Sequence, residues 1–256
     1  MALFENRIDA AKQLADRIQE WLYNKNKIMA MEIKEGQGKE QQKPDNKNDT
    51  VVLAIPRGGV VIGDVIASML GIKLDIVVSR KIGAPDNPEL AIGAVLPDGS
   101  YFLNQDIVNV LNVPKYYITE QANIQKKEIE RRLQSFRGEN IDYYRDYNNF
   151  EGKTVVLVDD GIATGATILS AAQWLKTRQN CCKILIVAVP LAPPPPSQTS
   201  SSNEDIVSKL NQIADKVIVL YRPDPFYAVG QFYEHFNQVE DAEVKKIMKR
   251  HGYRPM

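Results

Sequence analysis

The sequence predicts an α/β fold built on an open, mainly parallel sheet flanked by helices. The first observation is that short apolar runs, typical of strands buried on both faces, alternate along the 256 residues with segments of helical periodicity. The second is that helical segments separate the predicted strands, and strands connected in this way form parallel sheets with right-handed crossovers. A hydrophobic content of 44% is enough for one substantial core, so residues 1–256 are predicted to form a single domain.

Individual elements follow from apolar spacing and from turn residues. The apolar runs predict core strands over residues 51–55, 74–78, 155–158, 184–189 and 216–221. Helical spacing predicts helices over residues 7–23, 60–70, 114–137, 168–175 and 205–213, with a terminal helix from Asp241. A hairpin is predicted between 91–95 and 101–103, because the turn residues 97–100 separate these two apolar segments.

Two stretches lack the apolar residues of a packed element. Residues 24–50 are rich in Lys, Asn, Gln and Gly and are predicted to be a flexible insertion without catalytic function. Residues 193–203 combine a polyproline piece with a Ser-rich tract and are predicted to be a second exposed loop. A nucleic-acid-binding arm at 24–50 is less favoured, because acids interrupt the lysines and aromatic partners are lacking.

Composition argues against several function classes. Lys plus Arg and Asp plus Glu both number 32, so no net field attracts the chain to nucleic acid or to an anionic membrane. No apolar run reaches the roughly 18 residues of a spanning helix, and the first residues lack a basic region followed by an apolar one, which predicts a cytoplasmic protein. The adjacent Cys181 and Cys182 have no second pair for zinc and are predicted to be reduced thiols.

In the segment 154–168, a predicted strand is followed by two carboxylates and then by a loop of glycines and threonines. Asp159 and Asp160 stand at the carboxyl end of that strand, where open α/β sheets bind ligands. The loop that follows, residues 161–167, is predicted to cradle a phosphate through backbone N–H groups, threonine hydroxyls and the start of a helix. Because carboxylates repel phosphate, the ligand is predicted to be a phosphorylated sugar whose hydroxyls donate to Asp159 and Asp160.

With these residues the chain resembles the type I phosphoribosyltransferases, whose signature is a strand, two acidic residues and a short Thr/Gly loop. The Gly-Lys-Ser/Thr ending of a P-loop and the G-x-G-x-x-G of a dinucleotide site are both absent. The resemblance continues through residues 55–59, 80–85, 87–95 and 226–230, with one departure at Gly161, where the family usually has an aliphatic residue. It implies a small hood, expected from residues 222–240 and terminal elements, and a flexible lid loop.

The resemblance also implies how phosphoribosyl pyrophosphate would be held. Asp159 and Asp160 would bind the ribose hydroxyls. The 5-phosphate would lie on the loop made of Gly161, Ile162, Ala163, Thr164, Gly165, Ala166 and Thr167. Arg57, Gly58 and Gly59, which follow the first core strand, correspond to the pyrophosphate loop of the family. Arg80 and Lys81 open the turn-rich segment 79–88, interpreted as the mobile lid, and would stabilise charge on the leaving pyrophosphate.

The acceptor would lie under the hood. Phe226 and Tyr227 follow the last core strand and are candidates for stacking on an acceptor base, although a core aromatic under a short cap is nearly as well supported. Ala163 stands where 6-oxopurine enzymes carry a proposed Asp base, and residues 187–191 offer no cation for a 6-oxo group. Hypoxanthine and guanine are therefore predicted to be poor acceptors.

The resulting hypothesis is a magnesium-dependent transfer of 5-phosphoribosyl from phosphoribosyl pyrophosphate to a nitrogenous, nucleobase-like acceptor, with release of pyrophosphate. Mg²⁺ is expected to bind mainly through the oxygens of the substrate, so no metal ligands are assigned. A homodimer is also expected. Two alternatives stay open: a non-catalytic protein that binds phosphoribosyl pyrophosphate and regulates a partner, and a phosphohydrolase that uses Asp159 as its nucleophile. The second would need metal carboxylates and a general acid that the sequence does not place.

Overall fold

The chain alternates strands and helices in a computed structural model that describes residues 2–34, 49–96, 98–138, 150–177, 182–196 and 205–256. Within these ranges the strands are β1 (Thr50–Ala54), β2 (Lys73–Ile76), β3 (Arg80–Ala84), β4 (Asn87–Val95), β5 (Tyr101–Leu103), β6 (Thr154–Val158), β7 (Ile184–Leu191) and β8 (Lys216–Tyr221). The helices are α1 (Arg7–Lys34), α2 (Gly58–Leu70), α3 (Gln105–Val110), α4 (Lys115–Arg137), α5 (Ala166–Thr177), α6 (Ile206–Ile213) and α7 (Asp241–Arg250).

The central sheet is parallel and has the strand order β2-β1-β6-β7-β8. This confirms the predicted architecture, and the fully buried strands β1, β6 and β7 are those with continuous apolar runs. β1 and β6 are direct neighbours, with Ala54 opposite Val158. The segments that follow these two strands therefore leave the sheet side by side at the same edge.

Different helices cover the two faces of the central sheet. Val52, Ala54 and Val156 share one apolar cluster with residues of α1, α2 and α7. The alternate residues Leu53 and Val155 belong to a second cluster with residues of α5 and α6, as the two-residue period of a strand requires. Within the described ranges, none of these helices combines the length and the apolar character needed to cross a lipid bilayer.

Residues 79–88, predicted to be an irregular lid, instead belong mostly to a second, antiparallel sheet of β3, β4 and β5. The hairpin depends on Gly83, since a Cβ at that position would lie 2.6 Å from the Pro88 carbonyl oxygen. The register shifts on both sides of Gly83, and this irregularity accommodates the turn residues that suggested a loop. The hairpin predicted from 91–95 and 101–103 is confirmed as β4 and β5.

The N-terminal helix is longer than the sequence predicted. α1 extends to Lys34, so residues 24–34 of the predicted flexible insertion 24–50 are helical. Lys, Met, Ala and Glu in this stretch have high helix propensity, and a helix can extend beyond the core without apolar residues to bury. Residues 35–48 of the insertion, and residues 197–203 of the Pro/Ser-rich loop, lie outside the described residues.

We call residues 222–240 the hood. This segment follows β8 and contains one short 3-10 turn, Val229–Phe232. The first residues of the chain hold it in place, because the Leu3 and Phe4 backbone N–H groups both donate to the Phe232 carbonyl oxygen, at 2.8 and 3.1 Å. Phe4 also forms an isolated parallel bridge with Tyr233. The first described residues therefore pair with the hood, although the two segments are far apart along the chain.

Candidate active site

Asp159 and Asp160 lie side by side directly after β6, and we call them the acid pair. The Asp160 backbone N–H donates to Asp159 Oδ1 at 2.9 Å. Burial raises the pKa of Asp159 well above its usual range, and the charge of Asp160 raises it further. Burial also raises the pKa of Asp160, against the opposing effect of Arg7. A ligand that donates hydrogen bonds to these carboxylates would stabilise their ionised form.

The turn Arg57-Gly58-Gly59, directly after β1, packs against the acid pair. A Cβ on Gly58 would lie 1.9 Å from Asp160 Oδ2, and a Cβ on Gly59 would lie 2.9 Å from the Val158 carbonyl oxygen. Only glycine permits so close an approach. α2 begins at Gly58, so its unpaired N–H groups and its positive dipole end are at the same sheet edge. The structure thus brings the turn 57–59 and the loop 161–167 together at one edge of the sheet.

The loop 161–167 is anchored at two points and exposed between them. Ile162 is buried and donates its N–H to the Leu191 carbonyl oxygen at 2.8 Å. Gly165 has a left-handed φ of 80°, and a Cβ there would lie 2.3 Å from Ile206 Cγ1. Ala163 and Thr164 remain exposed. The loop therefore has a fixed backbone and offers hydroxyl and N–H donors to a ligand at the start of α5.

A cavity of about 630 Å³ lies between this loop and the second sheet. Its lining includes Thr164 and Thr167 from the loop region, Pro56 from the turn after β1, and the cations Arg80 and Lys81. Arg80 is held in place by Gln125 of α4, whose Oε1 accepts from Arg80 Nε at 3.1 Å. This cavity therefore contains parts of the predicted phosphate loop and lid. Arg57 and Gly58 of the predicted pyrophosphate turn instead line a neighbouring pocket with Arg7, and Arg57 Nη1 lies 3.5 Å from Asp241 Oδ1.

Arg132 of α4 lines the same cavity, although it was not among the predicted site residues. Its Nε lies 2.8 Å from Glu128 Oε1, and Arg131 shares that carboxylate. Burial lowers the pKa of Arg80, and the neighbouring charge of Arg132 lowers it further. Three cations at one cavity, with one shared carboxylate nearby, form an arrangement that a bound anion would stabilise.

A sequence signal for Arg132 did exist. Gln125 interrupts the apolar stripe of α4, and Arg132 follows it seven residues later, on the same side of the helix. Both residues lie beside the buried Ile129, so two polar side chains flank a buried stripe. Such a repeated break in an apolar face predicts a polar contact with another element. Here that element is β3 with Arg80.

The hood contacts the acid pair and the residue after it. The Tyr233 hydroxyl donates to the Asp160 backbone carbonyl at 2.7 Å, and a Cβ on Gly161 would lie 2.5 Å from Val229 Cγ1. Phe226 packs within the hood, with its ring centroid 5.3 Å from that of Phe232. Tyr227 is 85% exposed. The structure therefore places both acceptor candidates in the hood, one packed and one at its surface.

Arg7, the first residue of α1, is a second site residue that the sequence did not predict. Its Nε donates to Asp160 Oδ2 at 2.8 Å, and its Nη1 donates to the Asn237 carbonyl oxygen of the hood at 2.8 Å. No local pattern announces these contacts, because the partners are far apart along the chain.

Among the described residues, no three His, Cys, Asp or Glu side chains form a group that could hold a metal ion.

Comparisons with known proteins give a family match and several similar chains. The family described as "Phosphoribosyl transferase domain" matches residues 22–224. Two Mycobacterium tuberculosis proteins, named "Putative phosphoribosyl transferase Rv0571c" (strain H37Rv) and "Putative phosphoribosyl transferase MT0597" (strain CDC 1551), are 35% identical over 250 residues, or 98% of this chain and 47% of theirs. The chain thus spans about half the length of these relatives. The crystal structure of TT1426 from Thermus thermophilus is 30% identical, with a TM-score of 0.66 and coverage of 98% of this chain and 99% of that chain.

Proposed function

Since this chain belongs to the phosphoribosyl transferase domain family, we propose that it transfers the 5-phosphoribosyl group of phosphoribosyl pyrophosphate, the donor, to a nitrogenous, nucleobase-like acceptor. The observation that carries this proposal is the convergence of the acid pair, the turn 57–59 and the loop 161–167 at one sheet edge. A carboxylate pair beside two anion-binding turns suits a sugar that carries phosphate groups at both ends. The proposal includes a homodimer, which the family resemblance implies.

Each part of the site has a role in this reaction. The acid pair accepts hydrogen bonds from the ribose hydroxyls, and the loop 161–167 binds the 5-phosphate. The bond between ribose C1 and pyrophosphate breaks, the pyrophosphate leaves with the electron pair, and an acceptor nitrogen forms the new bond to C1. Arg57, Arg80 and Lys81 bind the pyrophosphate and stabilise its growing negative charge, while the acid pair lies near the positive charge that develops on the sugar.

The polar side chains that line the cavity suit a phosphoribosyl pyrophosphate molecule that brings its own Mg²⁺. The polar lining consists of Arg, Lys, Ser and Thr side chains, which bind phosphate oxygens rather than a divalent cation. We therefore assign Mg²⁺ mainly to the oxygens of phosphoribosyl pyrophosphate. Bound there, it would neutralise part of the charge of the leaving group.

A pyrophosphate-release screen tests the proposal. The protein is incubated with phosphoribosyl pyrophosphate, Mg²⁺ and one acceptor at a time, from a set of adenine, uracil, orotate, hypoxanthine, guanine and small amines. We expect pyrophosphate release with at least one acceptor, and little or none with hypoxanthine and guanine, because the methyl group of Ala163 cannot accept a proton. Release is measured with a coupled phosphate assay, and kcat/KM is compared among acceptors.

Two outcomes of the screen would change the proposal. Efficient turnover of hypoxanthine would contradict the acceptor prediction and would mean that another residue supplies the base. Tight donor binding by calorimetry, without pyrophosphate release in the presence of any acceptor, would contradict transfer and favour a regulatory protein that binds phosphoribosyl pyrophosphate. The presence of Arg80 and Lys81 in the cavity favours the enzyme over that alternative, because a sensor has no need to stabilise a leaving group.

Removing the cavity cations should slow turnover more than it weakens donor binding. We expect the double change Arg80→Ala and Lys81→Ala to lower kcat by about 100-fold, because these cations stabilise charge that grows in the transition state. For Arg132→Gln we expect a loss of about tenfold, since Glu128 already neutralises part of its charge. Steady-state kinetics gives kcat, and calorimetry gives the donor Kd.

Arg131→Gln is the matched control for the Arg132 variant. Arg131 pairs with the same carboxylate of Glu128 but is not among the residues that line the cavity. Its kcat should stay within about twofold of the parent value, as for an exposed ion pair. Equal losses in the Arg131 and Arg132 variants would show that Glu128 pairing, and not charge at the cavity, is what matters.

A further inference from the structure

Arg7 contacts three separate parts of the candidate site with one side chain. Its Nε donates to Asp160 Oδ2 and its Nη1 to the Asn237 carbonyl oxygen, both at 2.8 Å. Its guanidinium carbon lies 3.8 Å from the centroid of the Phe236 ring, and its Nε would lie 3.2 Å from a Cβ on Gly58. With a side chain only 11% exposed, Arg7 is a packed component of the site and not a solvated surface residue.

We propose that Arg7 is a positioning residue that orients the Asp160 carboxylate toward the ribose hydroxyls and joins the hood to the donor site. The inference rests on the proposed function, since it assigns Asp160 to the ribose. Arg7 occupies Asp160 Oδ2 and leaves the remaining acceptor capacity of that carboxylate for the donor. It contacts no reacting atom in this arrangement, so it acts through Asp160 and the hood.

The geometry requires an arginine and not simply a positive charge. One planar guanidinium donates toward Asp160 and toward Asn237 while its face lies over Phe236. Phe236 also stacks on Tyr233, with ring centroids 4.9 Å apart, and Tyr233 itself donates to the Asp160 carbonyl oxygen. A lysine could supply the charge near Asp160, but a single ammonium group cannot reproduce the two directed bonds together with the stacking.

The charge of Arg7 also favours the ionised form of Asp160. Burial raises the pKa of Asp160, and the ion pair and hydrogen bond from Arg7 oppose that shift. The other groups around this point are the Tyr233 hydroxyl, Asp9 near that hydroxyl, and Arg57 in the adjoining turn. Loss of Arg7 would therefore raise the pKa of Asp160, and a protonated carboxyl is a poorer acceptor for a sugar hydroxyl.

The test compares Arg7→Gln and Arg7→Lys in the full chain. Mg²⁺-phosphoribosyl pyrophosphate is titrated by calorimetry between about pH 5 and pH 9, across the range in which a raised carboxyl pKa falls. For Arg7→Gln we expect an increase in Kd of about 10- to 100-fold at neutral pH. We also expect the fall in donor affinity at acid pH, the acid limb of the pH profile, to be displaced to higher pH. Arg7→Lys should restore the position of the acid limb while recovering only part of the affinity. The ionisation of the donor is common to all variants and cancels in the comparison.

Arg17→Gln on the same helix is the control, because Arg17 pairs only with the exposed Glu20 in the described contacts, and it should match the parent. Thermal melting establishes that each variant is folded. Parent-like affinity and pH dependence in folded Arg7→Gln would overturn this inference alone. Equal losses of donor affinity in Arg7→Gln and Arg7→Lys, with an unshifted acid limb, would also overturn it and would indicate a purely structural role for Arg7. Absence of donor binding by the parent protein would overturn both this inference and the proposed function.

Discussion

Replacing Gly58 by Ala is expected to reduce donor binding by at least about 100-fold in a protein that remains folded, since displacements of about 1 Å at a site can have effects of this size. The added Cβ would lie 1.9 Å from Asp160 Oδ2 and 2.5 Å from Asp160 Cγ. Real Cβ atoms do not approach other atoms so closely, so the carboxylate must move. Because Arg7 holds that carboxylate, the same change also disturbs the link to the hood. Calorimetric titration with Mg²⁺-phosphoribosyl pyrophosphate measures the effect.

Gly63→Ala in the same helix is the matched control. Its Cβ would meet Leu74 Cδ1 at 2.8 Å and the Ala54 Cβ at 3.0 Å, which are core atoms, and no atom of the acid pair is among its nearest contacts. We expect a lower melting temperature, because an overpacked core is destabilised, and a donor Kd close to that of the parent. If Gly58→Ala bound the donor as tightly as the parent, the assignment of Asp160 to the ribose would be contradicted.

Asp159→Asn is expected to stabilise the free protein while weakening its response to the donor. Burial and the charge of Asp160 raise the pKa of Asp159 above its ordinary value of 3.8. Across the pH range between the ordinary and the raised pKa, the folded state holds more protons than the unfolded state, so the free energy of unfolding falls as pH rises. The amide of the asparagine does not titrate, so the variant does not lose this part of its unfolding free energy as the pH rises. Above this range the variant should therefore melt at a higher temperature than the parent.

Donor binding should change in the opposite direction. Each hydrogen bond from a ribose hydroxyl to a carboxylate is worth roughly 1.5–3 kcal/mol, and the double change of Asp159 and Asp160 to Asn would weaken both. Mg²⁺-phosphoribosyl pyrophosphate should raise the melting temperature of the parent much more than that of the double variant. Differential scanning fluorimetry with and without the donor measures both effects. Equal donor-induced shifts in the two proteins would exclude the acid pair from the donor site.

The sequence predicted the central sheet well because each core strand is specified locally. The continuous apolar run of β6 and the polar residues directly after it are visible without knowledge of the rest of the chain. The pairing of Ala54 with Val158 puts β1 beside β6, and this neighbour relation is set by the topology of the sheet and not by a local pattern. The loop 161–167 was likewise recognisable, since its glycines and threonines are consecutive in the sequence.

The remaining parts of the site depend on contacts that local patterns encode weakly or not at all. Arg7 reaches Asp160 through packing of α1 and becomes visible only in three dimensions, whereas Arg132 of α4 had a sequence signal in the break of the apolar stripe at Gln125. Residues 79–88 have a turn-rich composition that predicts a loop, but strand pairing and the close approach at Gly83 outweigh that local preference. For residues 24–34, a polar composition with few apolar residues predicted a flexible insertion, whereas high intrinsic helix propensity continues α1.

The contact between Phe4 and Tyr233 beside the acid pair affects the stage of folding at which the polypeptide becomes able to bind the donor. Joining segments so distant along the chain has a large loop-closure entropy, which is offset only after the intervening core has formed. During synthesis the loop 161–167 and the acid pair leave the ribosome before the hood does. Arg7 would then have Asp160 within reach but neither Asn237 nor Phe236 to complete its contacts. We therefore expect a nascent chain to gain donor affinity only upon emergence of the hood.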